Sequence, residues 1–156
     1  MQILNHSLYK AEIDKIKKYE VSRIYCKHGL EHFLDVARIA YLLNLENKLG
    51  YSKELIYITG LLHDIGKHQE YTDGIPHEKA SYKIGMQILN DIKLNDCDKA
   101  LILNAILEHR NIKVKDQNNL SGIIYLADKL SRVCFTCEHQ LTCNWDNKKK
   151  NSKLKY

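Results

Sequence analysis

The chain has 156 residues, 44% of them hydrophobic and 28% charged, with one proline and seven glycines. That is enough for one domain with a real core, and too few breakers for a turn-rich β fold. No apolar run approaches the roughly 18 residues of a membrane span, and the start, MQILNHSLYKAEIDKIKKYE, is too polar for a secretory signal. A cytoplasmic protein with no membrane partner is expected, in which the five cysteines are poor grounds for disulfides. The net charge of +5 is concentrated in residues 146–156, DNKKKNSKLKY, whose five lysines and one aspartate leave the other 145 residues nearly neutral. Such a tail reads as a solvated, frayed end, so nucleic acid is not an expected partner.

No internal repeat or linker interrupts the chain, so one domain over 1–156 is expected, its core at about 26–132, followed by a cysteine-containing segment and basic tail over 133–156. Residues 7 to 20 alternate apolar and charged positions at helical spacing. From Leu30 to Lys48, His32, Val36, Ile39, Ala40 and Leu43 form one continuous face. Gly50 closes that helix, and Ser52 offers a cap for a third that ends near Ile65 with Gly66 behind it. Asp73-Gly74 marks a turn, and Pro76 opens a helix over about 77 to 91. Asn95 or Asp96 caps the next, whose face runs Ile102, Ala105, Ile106, His109. The last covers about 119 to 133 through Ile123, Ile124, Leu126, Ala127 and Leu130. These elements predict an all-α bundle of about six or seven helices.

Three histidines stand out within it. His32 and His109 share the apolar faces of their helices, and His63 follows Leu61-Leu62 in GLLHDIGKH. Asp64 and Asp128 (IIYLADKL) add carboxylates in equally apolar contexts. Buried imidazoles and carboxylates need partners, and one metal ion satisfies several at once.

His32 in HFLDVARIA, the doublet in LLHDIGK and Asp128 in LADKL resemble, in order and flanking pattern, the signature of the HD superfamily of metal-dependent phosphohydrolases, over about Cys26 to Arg132. The resemblance implies a compact helical HD domain with a divalent metal, Fe, Mn, Co, Ni or Zn, held by His32, His63, Asp64 and Asp128. Imidazole and carboxylate suit those ions and leave positions open for water and a phosphate oxygen. His77 and His109 fall where HD proteins with two metals, similar to the bacterial dinucleoside tetraphosphate hydrolases, carry ligands of a second ion, which would make Asp64 a bridging ligand.

Around this set, His28 lies one turn before His32, and HGLEH resembles an arrangement of some HD members; it would touch a phosphate or orient a metal-bound water. Lys67, one turn beyond His63, would neutralise a phosphate, with Arg110, Lys129 and Arg132 as further candidates. His68 and His139 read as surface residues. In CFTCEHQLTCNW, Cys134, Cys137 and Cys143 begin with a Cys-x2-Cys step suited to a soft metal. Cys26 is the fourth ligand if the C-terminal segment folds back, with His139 an internal alternative, so a structural zinc or iron–sulfur centre is expected there.

The expected activity is metal-dependent hydrolysis of a phosphate ester or phosphoanhydride in a small phosphorylated molecule of nucleotide type, with Asp64, Lys67 and His28 at the reacting centre. A homo-oligomer is compatible with the sequence. The absence of a G-x-x-x-x-G-K-[ST] loop argues against ATP-driven work. Two rivals remain open: an HD-type diiron oxygenase, and a nucleotide-binding signalling module without chemistry.

Overall fold

Four of the seven helices start at a side-chain cap. In the computed structural model, which describes residues 2–154, the His6 side chain accepts from the Leu8 N–H at the head of α1 (Ser7–Tyr19). Helix α2 (Leu30–Glu46) starts after Gly29. Ser52 Oγ accepts from the Leu55 N–H to open α3 (Lys53–Leu62). Two helices follow without a side-chain cap, α4 (Lys67–Thr72) and α5 (His77–Asn90). Asn95 and Asn119 then cap α6 (Asp96–Glu108) and α7 (Leu120–Leu130). Each such cap satisfies an N–H that the helix itself leaves unpaired. Short 3-10 turns at Ile3–Asn5, Ile112–Val114 and Cys134–Thr136 complete an all-α fold without strands among the described residues.

Three elements differ from the sequence reading. Helix α3 ends at Leu62 and not near Ile65, because the chain tightens into a turn in which the Ile65 N–H donates to the Leu62 carbonyl at 3.2 Å. Helix α4, KHQEYT, is too short and polar to show an apolar period, and it forms because Lys67 and His68 turn inward. Helix α7 stops at Leu130 instead of about 133. The Ser131 hydroxyl turns back to donate to the Asp128 carbonyl at 2.8 Å, and the chain leaves the helix there.

Helix α2 packs against α3 and α7, α6 against α5, α7 and α3, and α1 closes on α4. The core joins Phe33, Val36 and Ala40 of α2 to Ile56, Leu61 and Leu62 of α3, Ile102 and Ile106 of α6, and Ile124 and Ala127 of α7. Two glycines allow the approach that assembles the site. A Cβ on Gly60 would lie 2.8 Å from Ala37 Cβ, so α3 meets α2 almost backbone to backbone. A Cβ on Gly66 would collide with the Ser81 nitrogen and with Ala80. The Gly66 N–H instead donates to Ser81 Oγ at 2.9 Å, tying α5 to the turn that follows His63-Asp64.

Two surface expectations are corrected. His68 is buried, 3.1 Å from the buried Glu12 carboxylate and stacked on Tyr19, because α1 covers the face of α4 that carries it. The tail is not frayed at its base. Asn151 is buried, and its amide donates to the carbonyls of Lys129 (2.7 Å) and Arg132 (2.9 Å). Tyr25 Oη donates to the Thr142 carbonyl at 2.9 Å, so the segment after α7 folds back on the stretch before α2. The last two residues of the tail expectation, 155 and 156, lie outside the described residues.

Candidate metal centre

The doublet sits just past the end of α3, where His63 is the capping residue and Asp64 begins the turn. His32 comes from the first turn of α2, Asp128 from the last turn of α7, His77 opens α5, and His109 caps the end of α6. All six are buried. They form two groups whose ligand atoms lie within 4.8 Å of one another: His32, His63, Asp64 and Asp128, then Asp64, His77 and His109. Asp64 belongs to both. Its Oδ2 faces His63 Nε2 at 3.4 Å and His32 Nε2 at 3.7 Å. Its Oδ1 faces His77 Nε2 at 3.1 Å and His109 Nε2 at 3.2 Å.

The outer nitrogens fix which ring atom points inward. His63 Nδ1 lies 2.7 Å from the Gly60 carbonyl and His109 Nδ1 2.6 Å from the Ile106 carbonyl. A carbonyl only accepts, so each Nδ1 carries its proton and each Nε2 offers a lone pair. His32 Nδ1 donates to Ser131 Oγ (3.2 Å), and His77 Nδ1 is held between Glu70 Oε2 (2.9 Å) and Lys67 Nζ (3.1 Å). The inward atoms His63 Nε2, His109 Nε2 and Asp64 Oδ1 are buried without a hydrogen-bond partner. Converging acceptors with no donor between them repel unless a cation or proton sits among them. This donor set, imidazole nitrogen and carboxylate oxygen held by second-layer hydrogen bonds, fits first-row divalent ions.

The carboxyl groups of the site are held in their charged form. Burial would raise the Asp64 carboxyl, but His63, His109 and His32 hold it well below its ordinary value. Asp128 is likewise held low against burial, mainly by Lys129 and His32. Burial pushes His109 down, whereas at His77 the Asp64 carboxylate overrides burial and pushes it up. The cationic groups nearest the ligands are Lys129, paired with Asp128, Arg132, whose Nη2 donates to His32 Nε2 at 3.1 Å, and Lys67, whose Nζ lies 3.1 Å from His77 Nδ1.

His28 is buried beside the ligands, its Nε2 3.9 Å from Asp64 Oδ2. Its Nδ1 lies 2.5 Å from Glu20 Oε1, and Tyr71 Oη donates to the same oxygen at 2.6 Å. Burial, outweighing Glu20, lowers His28 to about 4, so near neutral pH it is uncharged with an accepting Nε2. Glu20, in spite of its burial, is held down to about 2, chiefly by His28. Nothing in KKYEVSR marks Glu20 as functional, since its partners are His28 and the distant Tyr71. Glu70 was equally hidden. It pairs with Lys67 and His77 and receives Arg110 Nη1 at 3.2 Å. Lys67 itself is buried and faces the site through that pair.

Above the ligands opens a cavity of about 870 Å3 lined by His28, Asp64, His77 and Asp128. Arg23, Lys67, Arg110, Lys115, Lys129 and Arg132 line it from the body, and Lys148 and Lys149 from the tail. Apart from the two aspartates of the ligand set, no acidic residue lines it. A low-dielectric cleft rimmed by one sign of charge concentrates polyanions. Cys26, Cys134 and Cys143 lie on its wall.

Residues 29–133 match the HD domain family, spanning all six histidine and aspartate ligand candidates. The chain belongs to the HD domain family. Its members are usually metal-dependent phosphohydrolases. A protein of Clostridium beijerinckii is 47% identical over 99% of this chain and 96% of its own length. The CRISPR system single-strand-specific deoxyribonuclease Cas10/Csm1 of Methanocaldococcus jannaschii is 38% identical over 81 residues. That match covers 47% of this chain and 10% of the nuclease. Ribonuclease Y of Enterococcus faecalis is 29% identical over 81% of this chain and 22% of its own length. This HD protein therefore spans only a small part of either nuclease. No solved structure matches it. No helix among the described residues is long and apolar enough to cross a membrane.

Proposed function

We propose that this HD protein is a dinuclear metal-dependent phosphohydrolase acting on a phosphate ester or phosphoanhydride of nucleotide type. The observation that carries the reading is Asp64, which turns one carboxylate oxygen to each of two ligand groups at the floor of a cationic cavity. Divalent ions bound there supply Lewis acidity toward phosphoryl oxygens and lower the pKa of a bound water. The chain's own residues do the rest. Lys67 and Arg110, held by Glu70, and Lys129 and Arg132, held by Asp128, are placed to exchange those partners for phosphate oxygens. His28, uncharged and fixed by Glu20, accepts a hydrogen bond at Nε2 and so orients a water beside Asp64.

A second reading has a specific support. Lys148 and Lys149 bring the basic tail to the same cavity, and two relatives are named as nucleases. A single-stranded nucleic acid end would satisfy those lysines beyond the reach of a mononucleotide. The test is phosphate or nucleotide release by protein loaded with Mn, Fe, Co, Ni or Zn, across mononucleotides, dinucleoside polyphosphates and short single-stranded oligonucleotides, with oxygen uptake followed in parallel. The proposal expects metal-dependent release from at least one phosphate substrate, abolished by Asp64→Asn. Oxygen uptake without release, or no turnover with any phosphate compound, would refute it.

A further inference from the structure

The cysteines after α7 take no part in the phosphohydrolase reading, and the fold gathers them. Cys134 starts a 3-10 turn in which the Cys137 N–H donates to the Cys134 carbonyl at 3.2 Å. A second turn returns the chain, with the Cys143 N–H donating to the His139 carbonyl at 3.0 Å and Gln140 Nε2 to the Cys134 carbonyl at 2.8 Å. The loop thus closes on itself with its three thiols on a short path.

Cys26 joins them from the far end of the sequence. Tyr25 Oη reaches the Thr142 carbonyl, the Tyr25 ring packs edge-on against His139, and Arg132 Nη1 donates to the Lys27 carbonyl at 3.1 Å. Arg23 Nε holds the Cys26 carbonyl at 2.8 Å. The thiols of Cys134, Cys143 and Cys137 all act electrostatically on Cys26, adding to burial in pushing its thiol up, while Arg132 opposes them. Cys134 is buried, and the other three are half-buried. Cys97 is exposed on α6, outside the group.

We infer that Cys26, Cys134, Cys137 and Cys143 hold an iron–sulfur cluster, a second metal site separate from the histidine–aspartate centre. Cys26, Cys134 and Cys143 share one cavity wall, Cys137 follows Cys134 by one 3-10 turn, and Cys26 comes from a segment at least 108 residues away in sequence, a gathering of thiols from distant segments that structural thiolate centres require. A cluster fits four thiols set wider apart than a single zinc ion would hold them. Tetrahedral zinc, with Zn–S bonds of about 2.3 Å, draws every sulfur pair to roughly 3.8 Å. Among the described residues no three of these thiols come within 4.8 Å of one another, the span that each histidine–aspartate group meets. A cluster spreads its thiolates over separate irons. Arg132, beside Cys26, and Lys148 and Lys149, on the same cavity wall, offset the negative charge of a tetrathiolate site.

The cluster has a structural consequence. In the loop from Cys137 to Thr142 none of the residues is buried, and Leu141 is 96% exposed. Packing alone therefore gives little to offset the loop's ordering entropy. The cluster pins the loop to the segment leading into α2, and with it the tail that delivers Lys148 and Lys149 to the cavity.

The test uses full-length protein purified without oxygen and analysed for iron and acid-labile sulfide. Sulfide is the discriminating readout, because iron alone would also fill the histidine–aspartate centre. Stoichiometric labile sulfide with visible charge-transfer absorption, lost in Cys137→Ser and kept in Cys97→Ser, is expected. Alkylation of the native wild-type protein is expected to modify Cys97 and spare the other four until the cluster is stripped, a measurement that does not depend on the variant folding. Sulfide-free zinc on these thiols, a disulfide among them, or equal alkylation of all five cysteines would overturn the inference.

Discussion

Asp64 Oδ1 and His109 Nε2 face each other at 3.2 Å, both buried and neither hydrogen-bonded. Because His109 Nδ1 is committed to the Ile106 carbonyl, Nε2 has no proton of its own to offer a carboxylate. Two acceptors held in this way form a half-built coordination sphere, and the opposite edge of the same carboxylate repeats it toward His63 Nε2 at 3.4 Å.

Removing the charge of that carboxylate is the most damaging small change to the site. Asp64→Asn keeps the side chain's size and leaves α3 and α5 in place, so helical circular dichroism should be unchanged. Bound metal should fall, and metal-dependent turnover should drop by more than about a hundredfold. Turnover within a few-fold of wild type would contradict the bridging role.

Glu20→Gln probes a residue that touches no ligand. Its amide retains one acceptor for Tyr71 and the His28 pair but loses the charge that orients the His28 ring. Metal content should stay at the wild-type level while turnover falls about 10–100-fold, the usual effect of disturbing an outer layer. Loss of metal together with activity would mean that Glu20 acts on the ligands themselves.

The Gly66→Ala variant reports on how α5 is docked. The added methyl meets the Ser81 nitrogen and Ala80, where backbone cannot yield cheaply. Overpacking of this kind costs about 1–3 kcal/mol, a fall of roughly 3–10 °C in Tm for a chain of this size. His77 should lose its position first, so metal content should decline before the fold is lost. A Tm equal to wild type would show that α5 can shift without penalty.

Stability should fall with acidity before any carboxylate of ordinary pKa titrates. His28 is lowered from 6.5 to about 4, so between those values the unfolded chain binds a proton that the folded chain excludes. By linkage the fold is fully favoured above about pH 6.5 and loses that contribution as pH falls toward 4. Glu20, lowered from 4.5 to about 2, adds a loss of the same sign at lower pH. Urea unfolding of metal-free protein at several pH values should give a slope in the upper window that His28→Gln flattens. An unchanged slope in that variant would assign it to other groups.

Much of the site was legible because helical periodicity is local. His32 and His109 betrayed themselves by sitting on apolar faces where an imidazole has no cheap partner, and the doublet by ending the most apolar helix. The second-layer groups carried no such mark. Glu20 follows the end of α1 in a charged stretch, and it matters only because folding brings it to His28 and Tyr71. Helix α4 was hidden because five of its six residues are polar, and with it went the burial of His68. The tail looked like solvated lysines because the hydrogen bonds of Asn151 to Lys129 and Arg132 are not patterned in sequence. Composition located its charge correctly and missed where that charge is delivered.

The proposed function has two ions sharing Asp64. Anomalous diffraction from crystals of protein saturated with manganese would locate them. Two peaks flanking the Asp64 carboxylate are expected, one among His32, His63 and Asp128, the other beside His77 and His109. A single peak under saturating metal, with His77 and His109 turned away from Asp64, would contradict it.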